Sequence, residues 1–508
     1  MAARHLILGL TACAATALGA CSGSHSGASL PSTGISAVAK RPQATTVSAT
    51  LIVRPGVRGQ TIYTRTLGAN LALWYDITQS GIAQSFQQAG MTAVRWPGGS
   101  ASDQYHWQTH TQCSGGYADP NSTFDNFMTH VVQPAQLNVA ITLNYGSNAA
   151  CSGGGDPAEA AGWVDYANNV KGYGIEHWTV GNENYGSWEY DLHAAPHDAA
   201  TYAQAVASGY YPQIKAKDPG AKVGVVVEPG WSPAWDPIVL ARASYDFVEL
   251  HWYAQAPGQE SDTFLLTQAP QQLTSLINTL QGELNAAGHG NAPIHLGELG
   301  SVYSNPGKQS TSITQALFAG EVLGELLTDG VVRATWWLGY GGCSDASSGN
   351  FSASLYGWQN FGGYQIFSDG LPEYGCSNAT AVPRGTLLPT ARAYQLMAGV
   401  VTSGEHMVGN LLGGTSSSLR AYAMSRGSGY GIVLFNLDPA NSASVAVKVN
   451  DFFVPASATI ATYGKAEYDL SQSNVWAGPT SSQTAVAQGR FTVVLPPWSM
   501  NAITVTPN

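Results

Sequence analysis

Short apolar runs alternate with longer amphipathic stretches through the middle of the chain. The apolar runs have the length and β-branched composition of buried strands, and they fall at 67–73, 92–96, 139–144, 175–181, 222–227, 247–252, 294–297 and 332–338. Between and after them, apolar residues recur every three to four positions, as on one face of a helix, at 82–89, 158–170, 199–216, 271–287, 313–328 and 389–398. Eight strand–helix units in this order predict an α/β fold, a (β/α)8 TIM barrel over residues 65–401.

An open, doubly wound parallel sheet is the alternative for the same alternation. That sheet would be unusually long, and the chain lacks the Gly-rich turn that binds a nucleotide in such folds. The closed barrel is therefore favoured.

The pattern changes after residue 401. Short runs with period-two alternation, separated by turns, predict strands at 419–424, 429–436, 443–449, 459–463, 490–494 and 500–506. These strands are typical of an accessory C-terminal β-sandwich over residues 402–508. An early strand within 49–64 could pair into the same sandwich.

The N-terminus has the pattern of an export signal. Arg4 precedes an apolar run at 6–18 that is too short to span a bilayer, and Leu18-Gly19-Ala20-Cys21 has the form of a lipobox. We expect residues 1–21 to be a lipoprotein signal peptide and lipobox with Cys21 as the lipidation site, followed by a flexible Ser/Gly/Pro linker at 22–48. The alternative is a plain signal peptide cut near Ala20, which would make the protein secreted. Either way we expect export, with membrane contact only through a lipid anchor.

Charge and cysteines narrow the classes of partner. The net charge of −11, from 21 basic and 32 acidic residues, argues against nucleic acid as a partner. Apart from Cys13 in the signal segment and Cys21 in the anchor, four cysteines remain, which allow three pairings in an oxidising compartment. We expect Cys113 with Cys151 and Cys343 with Cys376. A metal site is the competing explanation, but no Cys-x-x-Cys or paired His spacing supports it.

Functional side chains of barrel enzymes cluster where the strands end and the βα loops begin. The ends of the second, fourth, sixth, seventh and eighth strands carry Arg95-Trp96-Pro97-Gly98-Gly99, Gly181-Asn182-Glu183, His251-Trp252-Tyr253, Gly297-Glu298 and Trp336-Trp337. Two carboxylates, Glu183 and Glu298, should therefore face each other across the barrel mouth. Such a pair can hydrolyse a glycoside, one as proton donor and the other as nucleophile, when the carboxyl groups are about 5–5.5 Å apart. Glu228, at the end of the fifth strand, is a rival carboxylate without a supporting motif.

These motifs resemble those of the clan A retaining glycoside hydrolases, and most of all the α-L-arabinofuranosidases. The resemblance rests on the Arg95–Gly99 motif followed by Tyr105-His106-Trp107, on Gly181-Asn182-Glu183 with Gly186 and Trp188, and on His251-x-Tyr253. It implies that Glu183 is the acid/base, that Glu298 is the nucleophile and that the charge of Glu298 raises the pKa of Glu183. No cofactor is implied.

The same resemblance gives substrate-binding roles to the neighbours of the carboxylate pair. Asn182 would bind a sugar 2-hydroxyl, Tyr253 would orient Glu298, and Arg95 and His251 would lie beside the pair. Arg95 could equally be a buried ion pair that holds the barrel, and His251 a core histidine. Trp337 and Trp188 are the rim aromatics assigned to sugar binding.

Two departures from the family motifs bear on which sugar the protein binds. The first strand, Gly68-Ala69-Asn70-Leu71-Ala72, lacks the carboxylate that usually contacts the sugar there, and Leu299-Gly300-Ser301 is not the usual continuation after the nucleophile. We expect a polysaccharide or oligosaccharide substrate, with α-L-arabinofuranosidase the leading hypothesis. Another clan A glycosidase (an endo-glucanase, xylanase or β-glucuronidase) and a non-catalytic surface glycan-binding lipoprotein are the alternatives.

Overall fold

The computed structural model describes residues 46–230, 234–370, 382–414, 416–452 and 454–508. Eight parallel strands close into a barrel, at Gly68–Asn70, Ala93–Trp96, Asn138–Leu143, His177–Val180, Lys222–Val226, Phe247–Gln255, Ile294–Val302 and Arg333–Trp336. The first strand pairs with both the second and the eighth, which completes the ring. The predicted (β/α)8 barrel is confirmed.

A helical segment follows each barrel strand and packs its apolar side on the barrel wall. These segments lie at Ile82–Gln88, 124–135, 157–170, 199–217, Asp236–Arg242, Ala269–Ala286, Ile313–Asp329 and Pro389–Ala398, with the short helix Asp262–Thr267 before the sixth of them. Asp156 and Asp198 begin two of the segments by accepting a hydrogen bond from a first-turn backbone N–H. Gly330 ends another in the left-handed conformation that glycine adopts at low cost.

A second, nine-stranded sheet folds over its own apolar core. Its spatial order is Thr480–Val486, Ala456–Gly464, Ser499–Pro507, Gly429–Asn436, Leu419–Arg426, His406–Gly414, Val47–Thr61, Ala443–Val449 and Arg490–Leu495. In the middle of this order, the strands Leu419–Arg426 and His406–Gly414 pair only through Met424 and Met407. The sheet can bend at this point and enclose Leu51, Val447 and Ile503. This is the expected β-sandwich, and it takes in the early strand Val47–Thr61, which pairs on both edges.

The sandwich packs against the barrel helix Ile313–Asp329. Two glycines of that helix allow the contact: a Cβ at Gly320 would lie 2.7 Å from Met500, and one at Gly324 would lie 2.5 Å from Tyr422. The two domains therefore share one continuous apolar interface.

The long segment after the eighth strand forms a bridge between the domains. Its hairpin pairs Cys343–Asp345 with Phe361–Gly363. In the loop between these two strands, the Tyr356 ring packs on Trp498 with centroids 4.9 Å apart, and the Tyr356 hydroxyl donates to Asp469 of the sandwich at 2.6 Å.

The expected disulfide between Cys113 and Cys151 is present, with Cα atoms 5.6 Å apart. Cys343 is disulfide-bonded as well, but Cys376, its expected partner, lies outside the described residues, as does Cys21. Among the helices described, none is both long enough and apolar enough to cross a membrane.

Candidate active site

The ends of the fourth, sixth and seventh barrel strands bring three titratable side chains together. One ligand atom each of Glu183, His251 and Glu298 lies within 4.8 Å of those of the other two. Glu183, directly after the fourth strand, has a φ of +45°. A non-glycine residue in this region costs on the order of 1 kcal/mol, and such backbone outliers concentrate at functional sites. The two carboxylates predicted from strand-end motifs therefore meet at one point.

Arg95 lies fully buried beneath this point and donates hydrogen bonds to four acceptors. Its Nη1 donates to Glu298 Oε1 at 3.0 Å and to Asn70 Oδ1 at 3.1 Å, Nη2 donates to Asn182 Oδ1 at 2.9 Å, and Nε donates to Glu249 Oε1 at 3.1 Å. A planar guanidinium can hold several acceptors in fixed directions at once. Arg95 is thus both a buried ion pair and a neighbour of Glu298, so both interpretations from the sequence describe it.

Glu249 is the second counter-ion of Arg95 and was missed in the sequence. It lies two residues before His251 on the sixth strand, fully buried, and its Oε2 accepts the hydroxyl of Thr179 at 2.7 Å. Burial would raise the pKa of Glu249, but the charge of Arg95 and hydrogen bonds from His251 and Thr179 lower it to about 2. Glu249 therefore remains ionised. An acidic residue inside an otherwise apolar strand was the available signal.

The protonation state of Glu183 differs from the sequence-based expectation. His251 Nδ1 lies 2.8 Å from Glu183 Oε1, between Glu183 and Glu298. Burial would raise the pKa of Glu183, but the hydrogen bond and charge of His251 outweigh it and lower that pKa. The expected rise caused by Glu298 is therefore wrong, because a histidine stands between the two carboxylates.

His251 carries the positive charge in its hydrogen-bonded pair with Glu183. Burial alone would lower its pKa, but the charge of Glu298 and hydrogen bonds to Glu183 and Glu249 raise it to about 9. At neutral pH the unliganded site holds a histidinium between carboxylates. His251 is thus part of the charged site and not a neutral core histidine.

Glu298 has a donor on each oxygen. Besides the contact of Arg95 with Oε1, the Tyr253 hydroxyl donates to Oε2 at 2.7 Å. Burial and the charge of Glu298 raise the pKa of Tyr253 well above its usual value, so the phenol keeps its proton. Tyr253 lies where a residue that orients Glu298 would be.

Asn182 is held from three sides. Its backbone N–H donates to Asp103 Oδ2 at 3.1 Å, and its side-chain Nδ2 donates to Glu189 Oε1 at 3.0 Å while Oδ1 faces Arg95. A primary amide has two N–H donors, so one remains for a ligand. Burial raises the pKa of Asp103 to about 7, and burial with the charge of Asp103 raises the pKa of Glu189 well above its usual value. Asp103 lies in the short 3-10 helix Ser100–Gln104, and Glu189 lies in the segment after the fourth strand. Neither belongs to the motifs quoted from the sequence, which is why the sequence did not reveal them.

Trp337 and Trp188, which the sequence assigned to sugar binding, lie in different parts of the site. The Trp337 ring packs on the loop after the second strand, where a Cβ at Gly99 would lie only 2.7 Å from it, and Gly98 and Gly99 have φ of +69° and +63°. That loop needs glycine for both conformation and space. Trp188 is 51% exposed, and its indole Nε1 donates to Glu183 Oε2 at 3.0 Å.

The segment after the eighth strand reaches the same site through Tyr364. Burial and the charge of Glu298 raise the pKa of this tyrosine. Its hydroxyl donates to the backbone oxygen of Tyr303 at 2.8 Å. Tyr364 therefore ties the strand-8 segment to the loop after Glu298.

Two clusters among the described residues bring three metal-binding atoms close together. In one, Cys113 and Cys151 are joined in the disulfide and are not available as thiolates. The other is Glu183, His251 and Glu298, where the guanidinium of Arg95, 3.0 Å from Glu298, repels a cation. The charges there suit a carboxylate pair better than a metal.

Comparison with known proteins finds similarity in structure. No family model and no curated protein sequence matches the chain. An α-L-arabinofuranosidase from Thermotoga maritima, solved as an arabinose complex, superposes with a TM-score of 0.68 at 17% identity, covering 90% of this chain and 99% of that one. A family 51 α-L-arabinofuranosidase from Bifidobacterium longum also gives 0.68, at 15% identity over 91% of this chain and 100% of that one.

A xyloglucanase of glycoside hydrolase family 44 from Paenibacillus polymyxa has the same architecture. It superposes with a TM-score of 0.63 at 14% identity, covering 91% of this chain and 100% of that one. At these identities the similarity shows a shared fold along nearly the whole chain. The fold that the motifs implied is the fold of these proteins.

Proposed function

We propose that this protein is a retaining glycoside hydrolase in which Glu183 is the acid/base and Glu298 is the nucleophile. One observation carries the proposal: oxygens of the two carboxylates lie within 4.8 Å of each other at the mouth of the barrel. Carboxyl groups about 5–5.5 Å apart leave no room for a water between them and the sugar, and such pairs react by double displacement.

In the first step Glu298 attacks the anomeric carbon while Glu183 protonates the departing glycosidic oxygen. Arg95 and Tyr253 hold the two oxygens of Glu298 in place, so little motion is needed to reach the transition state. Glu183 must take up a proton for this step.

In the second step water attacks the glycosyl–enzyme ester, and ionised Glu183 accepts its proton. His251 stabilises this ionised form through its hydrogen bond to Oε1. In this proposal Asn182 donates its second amide N–H to a hydroxyl of the sugar, an interaction that strengthens in transition states of this kind.

The proposed substrate is an α-L-arabinofuranoside. The motif resemblance and the function named for two of the superposed structures support it. Trp337 would pack against the sugar in the cleavage site, since sugar C–H groups pack well on indole rings.

Replacing the nucleophile tests the reaction. Glu298→Ala should abolish hydrolysis of 4-nitrophenyl α-L-arabinofuranoside, and added azide should restore turnover with a glycosyl azide of inverted configuration. Glu183→Ala should lower turnover of poor leaving groups by about 10²–10⁴-fold and spare 2,4-dinitrophenyl glycosides. Full activity of Glu298→Ala would refute the assignment.

A second candidate is an endo-acting clan A glycanase. The first strand, residues 68–72, has no carboxylate where arabinofuranosidases usually carry one. The amide of its Asn70 is engaged by backbone carbonyls and Arg95. The family 44 xyloglucanase also shares the fold. Release of arabinose from arabinan or arabinoxylan supports the first candidate; shortening of xylan or xyloglucan without arabinose release supports the second.

We further propose that the protein is exported and anchored through Cys21. The disulfide between Cys113 and Cys151 supports an oxidising compartment. Cys21→Ser should move the protein from the membrane fraction to the soluble fraction; unchanged partitioning would discard the anchor.

A further inference from the structure

Both oxygens of Glu183 accept a hydrogen bond from another side chain of the protein. Oε1 accepts from His251 Nδ1 at 2.8 Å, and Oε2 accepts from the indole Nε1 of Trp188 at 3.0 Å. The two donors differ sharply in exposure, because the His251 side chain is 4% exposed and Trp188 is 51% exposed. One oxygen is therefore held from inside the barrel and the other from the solvent side.

Only Oε2 can meet the glycosidic oxygen of a substrate. His251 is fixed among Arg95, Glu249 and Glu298, so Oε1 has no free approach. Oε2 faces the open side, and the indole of Trp188 occupies the position from which a leaving group would accept its proton. A carboxyl group that protonates a substrate must lie within about 3 Å of the accepting oxygen, so the indole and the substrate compete for one place.

We propose that Trp188 is a removable cap on the acid/base, displaced from Oε2 by the leaving-group sugar of the substrate and then packed against that sugar. This inference rests on the proposed function, since it takes Glu183 as the proton donor. It makes Trp188 a positioning residue of the site and implies a substrate whose leaving group is itself a sugar. The Trp188 ring also contacts Tyr185 edge-on, with centroids 6.2 Å apart, and packs over Gly186, where a Cβ would lie 2.3 Å from it.

Displacing the cap changes the proton affinity of Glu183. The titratable and charged groups that act on Glu183 or that it acts on are His251, Arg95, Tyr185, Glu189, Tyr253 and, through His251, Glu298. Of these and Trp188, only the indole leaves when substrate binds. A hydrogen bond to the ionised form lowers a pKa, so its loss lets Oε2 take up the proton that the first step needs.

The contact can be tested without substrate by ¹⁹F NMR of protein labelled with fluorotryptophan. The Trp188 resonance is identified by its loss in Trp188→Phe. In the wild-type protein we expect the chemical shift of this resonance to change over the pH range in which Glu183 takes up its proton. In Glu183→Gln this pH-dependent change should be absent. A resonance unaffected by Glu183→Gln would overturn the proposal, whatever the activity of the protein.

Kinetics test the displacement. For an arabino-oligosaccharide, the leaving group is itself a sugar and a poor one, which makes the first step slow. The ratio kcat/KM then reports the free enzyme, and kcat reports the complex. Trp188→Phe keeps the ring and removes the N–H. With rising pH, kcat/KM falls when Glu183 of the free enzyme loses its proton. In Trp188→Phe this fall should occur about one pH unit higher than in the wild-type protein. The pH at which kcat falls should be the same in both proteins. Equal shifts in both would show that the indole stays on Glu183 during turnover, and no shift in either would reduce Trp188 to a structural role; both results would overturn the proposal.

The matched control is Trp476→Phe. The Trp476 indole donates to Asn474 Oδ1 at 3.0 Å in the sandwich domain, so the same substitution there should move neither profile. If the wild-type protein hydrolyses no glycoside at all, the proposed function fails, and the ¹⁹F titration still decides the contact.

Discussion

Arg95 is the residue on which the geometry of the carboxylate pair depends. It is a buried cation with two buried carboxylates, Glu249 and Glu298, as partners. Burying charges is costly, and the cost is offset only when every partner is in place. Its neighbours Asn70 and Asn182 add neutral acceptors that fix the direction of the guanidinium.

Arg95→Lys should therefore be far from conservative. An ammonium cannot reach the four acceptors that the guanidinium holds, so we expect a loss of about 3 kcal/mol in the free energy of unfolding and a large drop in kcat. Urea unfolding measures the first and steady-state kinetics the second. The matched control is Arg65→Lys, at an exposed pair with Glu176, which should change stability by about 0.5 kcal/mol or less. Equal effects of the two substitutions would contradict this account of Arg95.

At the scale of single residues, the sequence identified the site residues that lie in recognisable motifs and missed the site residues that do not. Glu183 and Glu298 lie in recognisable motifs at the ends of apolar runs, so their positions could be predicted. Glu249 lies inside a strand, and Asp103 and Glu189 lie in segments that converge only when the barrel closes. The state of Glu183 could not be predicted either, because it depends on where His251 points.

At the scale of elements, the seventh strand shows why glycine precedes the nucleophile. A Cβ at Gly297 would lie 2.4 Å from Glu249 Oε1. The sixth and seventh strands can thus pair closely only while position 297 has no side chain. The space left by Gly297 belongs to the carboxylate that holds Arg95.

Gly297→Ala should displace Glu249 and, through Arg95, Glu298. Overpacking of this kind costs roughly 1–3 kcal/mol, and we expect kcat to fall with it. Gly162→Ala is the matched control: it lies in the helix Pro157–Val164 with open space around its Cβ position, and should stabilise the protein by about 0.5–1 kcal/mol. Thermal or urea unfolding of both variants gives the comparison, and a neutral Gly297→Ala would contradict the close packing.

Element boundaries were predicted less well than element types. The sixth and seventh strands were expected to end at 252 and 297, yet they extend to Gln255 and Val302. Their backbones keep pairing beyond the apolar runs, as Gly300 with Tyr253 and Val302 with Gln255. Apolar character marks the part of a strand inside the core and not the hydrogen-bonded part that carries the site.

At the scale of the whole molecule, the barrel interior contains a buried histidine pair that resists protonation. The rings of His177 and His295 have centroids 4.9 Å apart, and Phe247 stacks on His295 at 4.2 Å. Burial, with the charge of Arg333, lowers the pKa of His177 to about 2; burial, with the charges of His177 and Arg333, lowers the pKa of His295 well below its usual value. Both histidines therefore remain neutral in the folded protein.

The contribution of these two histidines to stability should fall as the pH drops below about 6.5, because the unfolded chain binds protons there that the folded histidines do not. The raised pKa values of Asp103 and Glu189 act in the opposite direction. Each such histidine contributes a slope of about 1.4 kcal/mol per pH unit. His295→Phe should remove about one histidine's share of that slope, measured as the urea unfolding free energy between pH 6.5 and 4.5. An unchanged slope would show that His295 becomes protonated in the folded state.

The two-domain architecture could be predicted from the periodicity of apolar positions, but two strands of the sandwich could not. Both domains were predicted from alternating apolar positions, but the strands His406–Gly414 and Thr480–Val486 were not. The first is rich in glycine, and the second is a largely exposed edge strand. Neither has an apolar face to reveal it, and both are held in the sheet by backbone ladders.

The central claim is that Glu183 and Glu298 act on one sugar carbon through a covalent intermediate. The most direct measurement is ¹H NMR of the anomeric proton during hydrolysis of 4-nitrophenyl α-L-arabinofuranoside, recorded before the product mutarotates. The account predicts that the α-anomer of L-arabinofuranose forms first. Initial formation of the β-anomer would mean direct attack by water and would contradict it.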